Sequence, residues 1–390
     1  MPTSRKPIGS SETSPGLGLL LAALVPFSLG YFFSYLYRAV NAVVAPDLTR
    51  DLDLSASELG LLTAAYLLAF AVFQLPLGIL LDRYGPRRVQ AALVATGALG
   101  ALLFAFGAST LVLTIARAII GIGFAGGLMS GFKAVVIWVP EPRRALANAC
   151  VMSIGAVGLL VSTAPMEAAV HAFGWRPVFM GLSTATLIVA VLILLVVPER
   201  DVGPVPGAPR PSLSQQIKEV AGVYRDRVFL ALVPLLAVTA GVHIAVQTLW
   251  AGPWFRDVAG LDRGAVAQQL FWMAAAFFAG ILVSGAIADW FVRRGASLLD
   301  VMMGFLALFF ASQFYLAFHT DLALNMRGLD LVAWCVFGMT GQVAVLAYPW
   351  LSSYFGARLS GRANTAINLL MFSCAFVAQY GVGAVIDQFP

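Results

Sequence analysis

A few polar side chains set into long apolar runs are what this chain has to do chemistry with. Tyr31, Ser34, Arg38 and Asn41 recur at intervals of three and four residues, the spacing that puts side chains on one face of a helix. With a helix running to its outer end near Asp47, Arg38 lies roughly 13 Å inside, at ~1.5 Å per residue. A guanidinium at that depth offers a planar fork of N–H donors matched to a carboxylate or a phosphate. Lys133 is a second base inside an apolar run, about five residues before Trp138. Its flexible stem could equally carry the ammonium out to the membrane interface.

Further along, Thr239, His243, Gln247 and Trp250 fall on one helical face, and Gln342, Tyr348 and Asn368 add polar groups to two later runs. A solvated histidine titrates near neutrality, although a lone histidine in a helical bundle is more often a packed core residue. Amides in such runs are by default interhelical hydrogen-bond partners. No Asp or Glu stands in the middle of an apolar run, which disfavours a cation site or a proton relay resting on a mid-membrane carboxylate. The chemistry indicated is recognition of a small, carboxylate-like organic anion, with Arg38 and Lys133 as its anchors.

The elements that must position these groups follow from composition. Of 390 residues 60% are hydrophobic and 11% charged, with a mean hydropathy of +0.87; so few charges cannot cover a soluble protein of this size. Runs near the ~20 residues that cross a bilayer are expected as helices at 17–46, 56–80, 89–107, 111–137, 145–169 and 177–197, then at 229–250, 264–288, 298–318, 329–355 and 363–386. Strand-like alternation is absent, so the fold class is an all-α membrane protein. The first run exceeds the roughly 7–15 residues of a signal-peptide core and reads as a retained span. The domains expected are an N-terminal six-helix bundle over 1–197, a Pro-rich and charged linker over 198–227, and a C-terminal bundle over 228–390 with about five helices, a further helix being expected beyond Pro390.

Arg83, Arg87, Arg88, Arg143, Arg144, Arg293 and Arg294 collect in short loops on the linker side. The positive-inside bias makes that side, and the N-terminus with it, cytoplasmic in a bacterial-type inner membrane. The net charge of +5 is scattered over these loops and does not indicate nucleic acid. Cys150, Cys335 and Cys374 sit in apolar runs without disulfide or zinc spacing. No nucleophile with its base, metal spacing or phosphate loop is present, so neither an enzyme nor a cofactor is expected.

Two charged turns share one design. Gly78-x-x-x-Asp82-Arg83-x-Gly85-x-Arg87-Arg88 lies between the second and third runs, and Gly285-x-x-x-Asp289-x-x-x-Arg293-Arg294-Gly295 lies at the equivalent place in the second half. Such internal repeats build many secondary transporters. The first turn resembles the signature loop of the major facilitator superfamily and the second its weaker copy; "RAIIGIG" from Arg117 and "GWRPVF" from Gly174 agree. The resemblance implies the major facilitator fold of two six-helix bundles, rocker-switch alternating access and a monomer. It also implies conformational gating by Gly78, Asp82, Arg83, Gly85, Arg87, Arg88, Asp289, Arg293 and Arg294, with Asp82, Arg83 and Arg87 latching the outward-facing state. The plain alternative is that these charges anchor helix ends to lipid headgroups. Arg117 matches a family position tied to coupling and helix packing.

"YLYRAVNAVVAP", Tyr35 to Pro46, also resembles the first helix of the organic-anion symporter branch, but Tyr37 stands where that branch often carries Asp. Anion recognition by Arg38 carries over; the proton mechanism does not. Uniport, exchange and proton symport through His243 stay open. A drug or metabolite exporter is the nearest alternative, although "GAVGLLVSTAP", from Gly155 to Pro165, matches that group's helix-5 pattern only loosely. A transporter-like sensor that binds without flux is another.

Overall fold

The computed structural model describes residues 17–198, 212–318, 329–341 and 343–389, and every regular element among them is a helix. Helix α1 (Leu17–Ala39) passes through Val40 into α2 (Asn41–Leu52). Helix α3 (Ala56–Phe106) starts on a capping box: the Ser55 hydroxyl accepts from the Glu58 amide at 3.2 Å, and the Glu58 carboxylate accepts from the Ser55 amide at 3.0 Å. As one rod its 51 residues would reach roughly 75 Å, more than twice the ~30 Å hydrocarbon core. The chain breaks it at Gly85, where φ +76° and ψ 160° suit only a residue without Cβ. That is the glycine of the first charged turn, and Gly295 of the second turn likewise has φ +96°.

Helices α4 (Thr110–Phe124) and α5 (Gly127–Trp138) follow, then α6 (Arg144–Val161) and α7 (Ala164–Phe173), whose apolar lengths meet at 45° and together make one span, then α8 (Trp175–Val196). A short amphipathic α9 (Leu213–Val223) lies in the linker. Helix α10 (Arg227–Ala245) continues through a π-turn at Val246–Trp250 into α11 (Ala251–Asp257). Helices α12 (Arg263–Val292), α13 (Leu298–Phe318), α14 (Leu329–Thr340) and α15 (Val343–Ile386), broken at Gly356, complete the chain. Every apolar run expected from the sequence falls on one of these helices or broken pairs. Several extend further, to Leu52, Phe173 and Asp257, because a helix can keep its backbone ladder in the headgroup layer, where polar side chains are welcome.

Helices α1 to α8 pack largely on one another and form a first bundle; α10 to α15 form a second. The broadest contact between them is α3 against α15, joined by α12 against α6 and α7 and by the π-turn against α2. Helix α9 lies across α3 and α15, its Gln216 beside Gly78 and its neighbour Tyr224 donating to the Ala366 carbonyl at 2.7 Å. This is the linker end. The opposite end holds Asp47, the 53–55 turn, Gly174 and the start of α12.

At that opposite end the "GWRPVF" stretch braces the first bundle. The Trp175 indole N–H donates to Asp51 Oδ2 at 2.9 Å and Arg176 donates to the same oxygen at 3.2 Å. The indole bond, ahead of the neighbouring arginines, holds the Asp51 carboxyl below the ordinary carboxylate range. A depressed pKa contributes stability that is complete above that range and lost as pH falls through it. Trp175→Phe should therefore cost about 1 kcal/mol at neutral pH, seen as a lower melting temperature in detergent, with the deficit shrinking below about pH 4.

Candidate functional site

Arg38 closes α1 and is 8% exposed. Its guanidinium carbon lies 4.8 Å from the ring centroid of Tyr35, 5.2 Å from that of Phe70 and 5.1 Å from that of Phe372. Among the described residues no carboxylate pairs with it, and its Nε is buried without a hydrogen-bond partner. Three cation–π contacts of about 0.5–2 kcal/mol each, with a hydrogen bond to the Tyr66 side chain, offset much of the several kcal/mol that removing a guanidinium from water costs. What the pocket lacks among the described residues is a negative charge.

Around it, Tyr31 meets Tyr35 edge-on at 5.1 Å, and Tyr35 meets Phe277 of α12 at 5.9 Å. Tyr348 is near enough for Arg38 and Tyr35 to act electrostatically on its phenol, which donates to the Asn368 side-chain oxygen. The rest of the expected stripe is spent on packing: Ser34 donates to the Phe124 carbonyl at 3.5 Å and Asn41 to Thr63 at 2.9 Å. Arg117, fully buried, donates to the Tyr37 carbonyl at 2.7 Å and lies over the Tyr66 ring at 5.0 Å. Tyr66 in turn donates to the Ser34 carbonyl at 3.1 Å. Tyr66, Phe70 and Phe372 carry no signal in the sequence that separates them from other aromatic residues in apolar runs.

The expected face of Thr239, His243, Gln247 and Trp250, on α10 and the π-turn, does not act as one unit. His243 is buried among Phe277, Phe309 and Phe337 of the second bundle, both ring nitrogens without a partner. Thr239 bonds back to Leu235 in its own helix. Past His243 the π-turn adds a residue to the helical turn, so α-helical periodicity no longer holds. Gln247 lines a small cavity with Ala39, Ser162 and Thr163, its amide nitrogen unpartnered, and the Trp250 indole donates to the Gln379 carbonyl at 3.0 Å. Gln342 lies outside the described residues.

Lys133 is held at the linker end, donating to Asp82 at 2.6 Å and to the Leu81 carbonyl at 2.9 Å. Arg87 donates to the Leu194 carbonyl, near the end of α8, where a helix dipole favours a cation. Arg83 lies over the Tyr84 ring at 5.2 Å, and Arg88 sits exposed in the same turn. In the second turn Arg294 lies over Trp290 at 3.5 Å, while Arg293 and Asp289 approach only to 3.9 Å, both well exposed. The partners described for Asp82 and Arg87 belong to the first bundle.

Contacts that cross between bundles gather at the opposite end, around a residue not singled out from the sequence. Arg263, at the start of α12, donates to both Asp47 oxygens at 3.1 and 2.6 Å and to Glu167 at 2.5 Å. The two carboxylates are 7% and 11% exposed and Arg263 is 36% exposed. A cavity of about 100 Å³ adjoins them, lined among others by Ala42, Pro46, Gly252 and Arg256. Beside it, the Asp387 carboxylate accepts from the Ala56 and Ser57 amides at 2.9 and 3.0 Å, capping the N-terminus of α3 from the second bundle. A Cβ on Gly383 would come 2.4 Å from the Ala56 carbonyl, so this seam closes only on glycine. The one sequence signal for Arg263 is an isolated base on the acid-bearing side.

Arg263→Gln should leave Glu167 without its cation and Asp47 with only the exposed Arg50, 3.0 Å away, and cost about 2 kcal/mol, less than a fully buried pair because Arg263 meets solvent. It should also raise thiol labelling of a cysteine placed at Ala42. Hydrogen bonding to Ser57, then Ala56, holds the Asp387 carboxyl below its ordinary range. Its contact is therefore complete at neutral pH and lost as pH falls through that depressed value; labelling of the same cysteine should rise at acid pH, and Asp387→Asn should flatten that rise.

The sequence pattern of the Major Facilitator Superfamily matches residues 27–379. The probable sulfoacetate transporter SauU of Cupriavidus necator is 24% identical over 287 residues, 69% of this chain but only 65% of that protein, so the match spans less than two thirds of its length. The probable L-galactonate transporter of Escherichia coli is 23% identical over 396 residues, 96% of this chain and 83% of its own. In three dimensions, a bacterial homologue of the human lysosomal transporter Spinster, inward-facing and unoccupied, superposes with a TM-score of 0.74 at 17% identity, over 96% of this chain and 84% of that one. A helical membrane scaffold with repeated Gly85 and Gly295 turns, matched along most of its length, belongs to the Major Facilitator Superfamily, whose members found here are transporters and not enzymes.

Proposed function

We propose that the chain is a secondary transporter that moves a small organic anion, a carboxylate or sulfonate, across the membrane by alternating access, with Arg38 as the group that binds it. The observation that carries this is the Arg38 guanidinium, buried at the junction of the bundles among ring faces and the Tyr66 side chain, with no carboxylate beside it among the described residues. An anion supplies what the pocket lacks. The sulfoacetate and L-galactonate named for the relatives are both of this class, which supports the reading. Lys133 is already paired with Asp82, which leaves Arg38 as the principal anchor, with Tyr31, Tyr348 and Asn368 near it. The two bundles, 1–197 and 228–390, rock about this site. The Arg-rich linker end faces the cytoplasm by the positive-inside bias, and the contacts of Arg263 and Asp387 close the outer end.

Purified, detergent-solubilised protein tests this directly. Sulfoacetate, galactonate and simple carboxylates should raise the melting temperature by mass action, whereas neutral and cationic compounds should not. Arg38→Gln should weaken that response roughly 10- to 100-fold in concentration, as expected for a charge-assisted pair of about 1.5–3 kcal/mol. Stabilisation by cationic compounds alone, indifferent to Arg38→Gln, would sink the reading.

A further inference from the structure

Two of the three rings on Arg38, Tyr35 and Phe70, ride on helices of its own bundle. The third, Phe372, comes from α15 of the other. It packs against Phe70 with centroids 4.4 Å apart, and it is 6% exposed. Along α15, Asn368, Phe372, Gln379, Gly383 and Asp387 succeed one another at steps of four or seven residues, which place them on one helical face. That face is the seam: Phe372 packs on Phe70, the Gln379 carbonyl faces Gly60, and Gly383 and Asp387 meet the start of α3. One rigid helix therefore joins the ring over Arg38 to the outer closure, roughly 22 Å away at ~1.5 Å per residue.

A guanidinium stacks on aromatic rings through its faces and donates hydrogen bonds in its plane. With three rings around its Cζ and Nε sealed without a partner, the terminal N–H groups are the approach left to an anion. Phe372 keeps water from the guanidinium, and it does so only while α15 stands where it does. We propose that Phe372 is a positioning and specificity-determining residue: its ring holds Arg38 out of water for pairing with a carboxylate or sulfonate through its terminal N–H groups and couples occupancy of Arg38 to the position of α15. The proposal rests on the anion reading given above. Phe70 shields Arg38 in the same way but moves with it, so it affects binding without coupling.

The test uses the full chain with sulfoacetate as probe, by thermal shift in detergent and by flux in liposomes. Phe372→Leu should weaken binding roughly tenfold, the effect of about one desolvated cation–π contact, and should also lower the rate at saturating sulfoacetate. Phe372→Tyr should behave as wild type in both, because it keeps the ring face. Phe70→Leu should weaken binding with the saturated rate unchanged. Wild-type affinity and rate in Phe372→Leu overturns the proposal, as does Phe372→Leu matching Phe70→Leu, or Phe372→Tyr failing as the leucine variant does. If sulfoacetate and simple carboxylates leave even the wild type unshifted, the anion reading falls and takes this proposal with it, an outcome distinct from normal binding with an indifferent Phe372.

Discussion

In hydrocarbon a formal charge must be answered by an opposite charge, a carbonyl, a ring face or the aqueous edge, because its desolvation is too costly otherwise. The cations of this chain form a graded series under that constraint. Arg263 has two carboxylates. Lys133 has one carboxylate and a carbonyl, Arg117 a carbonyl and a ring, and Arg38 three rings and the Tyr66 side chain. Arg117, with two guanidinium nitrogens unpartnered, is packed within the first bundle, whereas Arg38 sits where the bundles meet and has no carboxylate among the described residues. The functional assignment follows from that position more than from the identity of any motif.

Much of the scaffold was legible because the bilayer writes it in composition: run length marks the spans, and the glycines of the charged turns mark where the chain must reverse. Gly85 and Gly295 both have positive φ, three residues after Asp82 in the first turn and six after Asp289 in the second. The ends of the helices were less legible, since beyond the hydrocarbon hydropathy no longer distinguishes a helix from a loop. The π-turn at Val246–Trp250 was invisible for another reason. It packs against α2, a contact that the sequence does not display, and it separates the tight core around His243 from the cavity at Gln247, although spacing alone put the two on one face.

Arg38 stood out because a base among apolar residues is rare and expensive. The rings that surround it did not, since Phe70 and Phe372 look like any other phenylalanine in a chain that is 60% hydrophobic. Lys133 was recognised as a buried base, but its partner Asp82 is 51 residues away. Its other uses, snorkelling to the interface or binding an anion, could not be separated from pairing without knowing how α3 and α5 face each other. Arg263 was not singled out in the sequence, and only the approach of α12 to α2 and α7 made it a bridge between bundles.

The two contacts that close the end opposite the linker differ in what happens to their charges on separation. Asp47 and Glu167 are nearly sealed from solvent, so parting them from Arg263 strands Glu167 and leaves Asp47 only Arg50 until water reaches them. Asp387 is already exposed and hydrogen-bonds only the start of α3; when it lets go, it returns to solvent. The closure therefore has a built-in order, like a seam with a weak last stitch: it unravels from the tip of α15 inward, and water entering at that tip hydrates the acids before their bridge has to break.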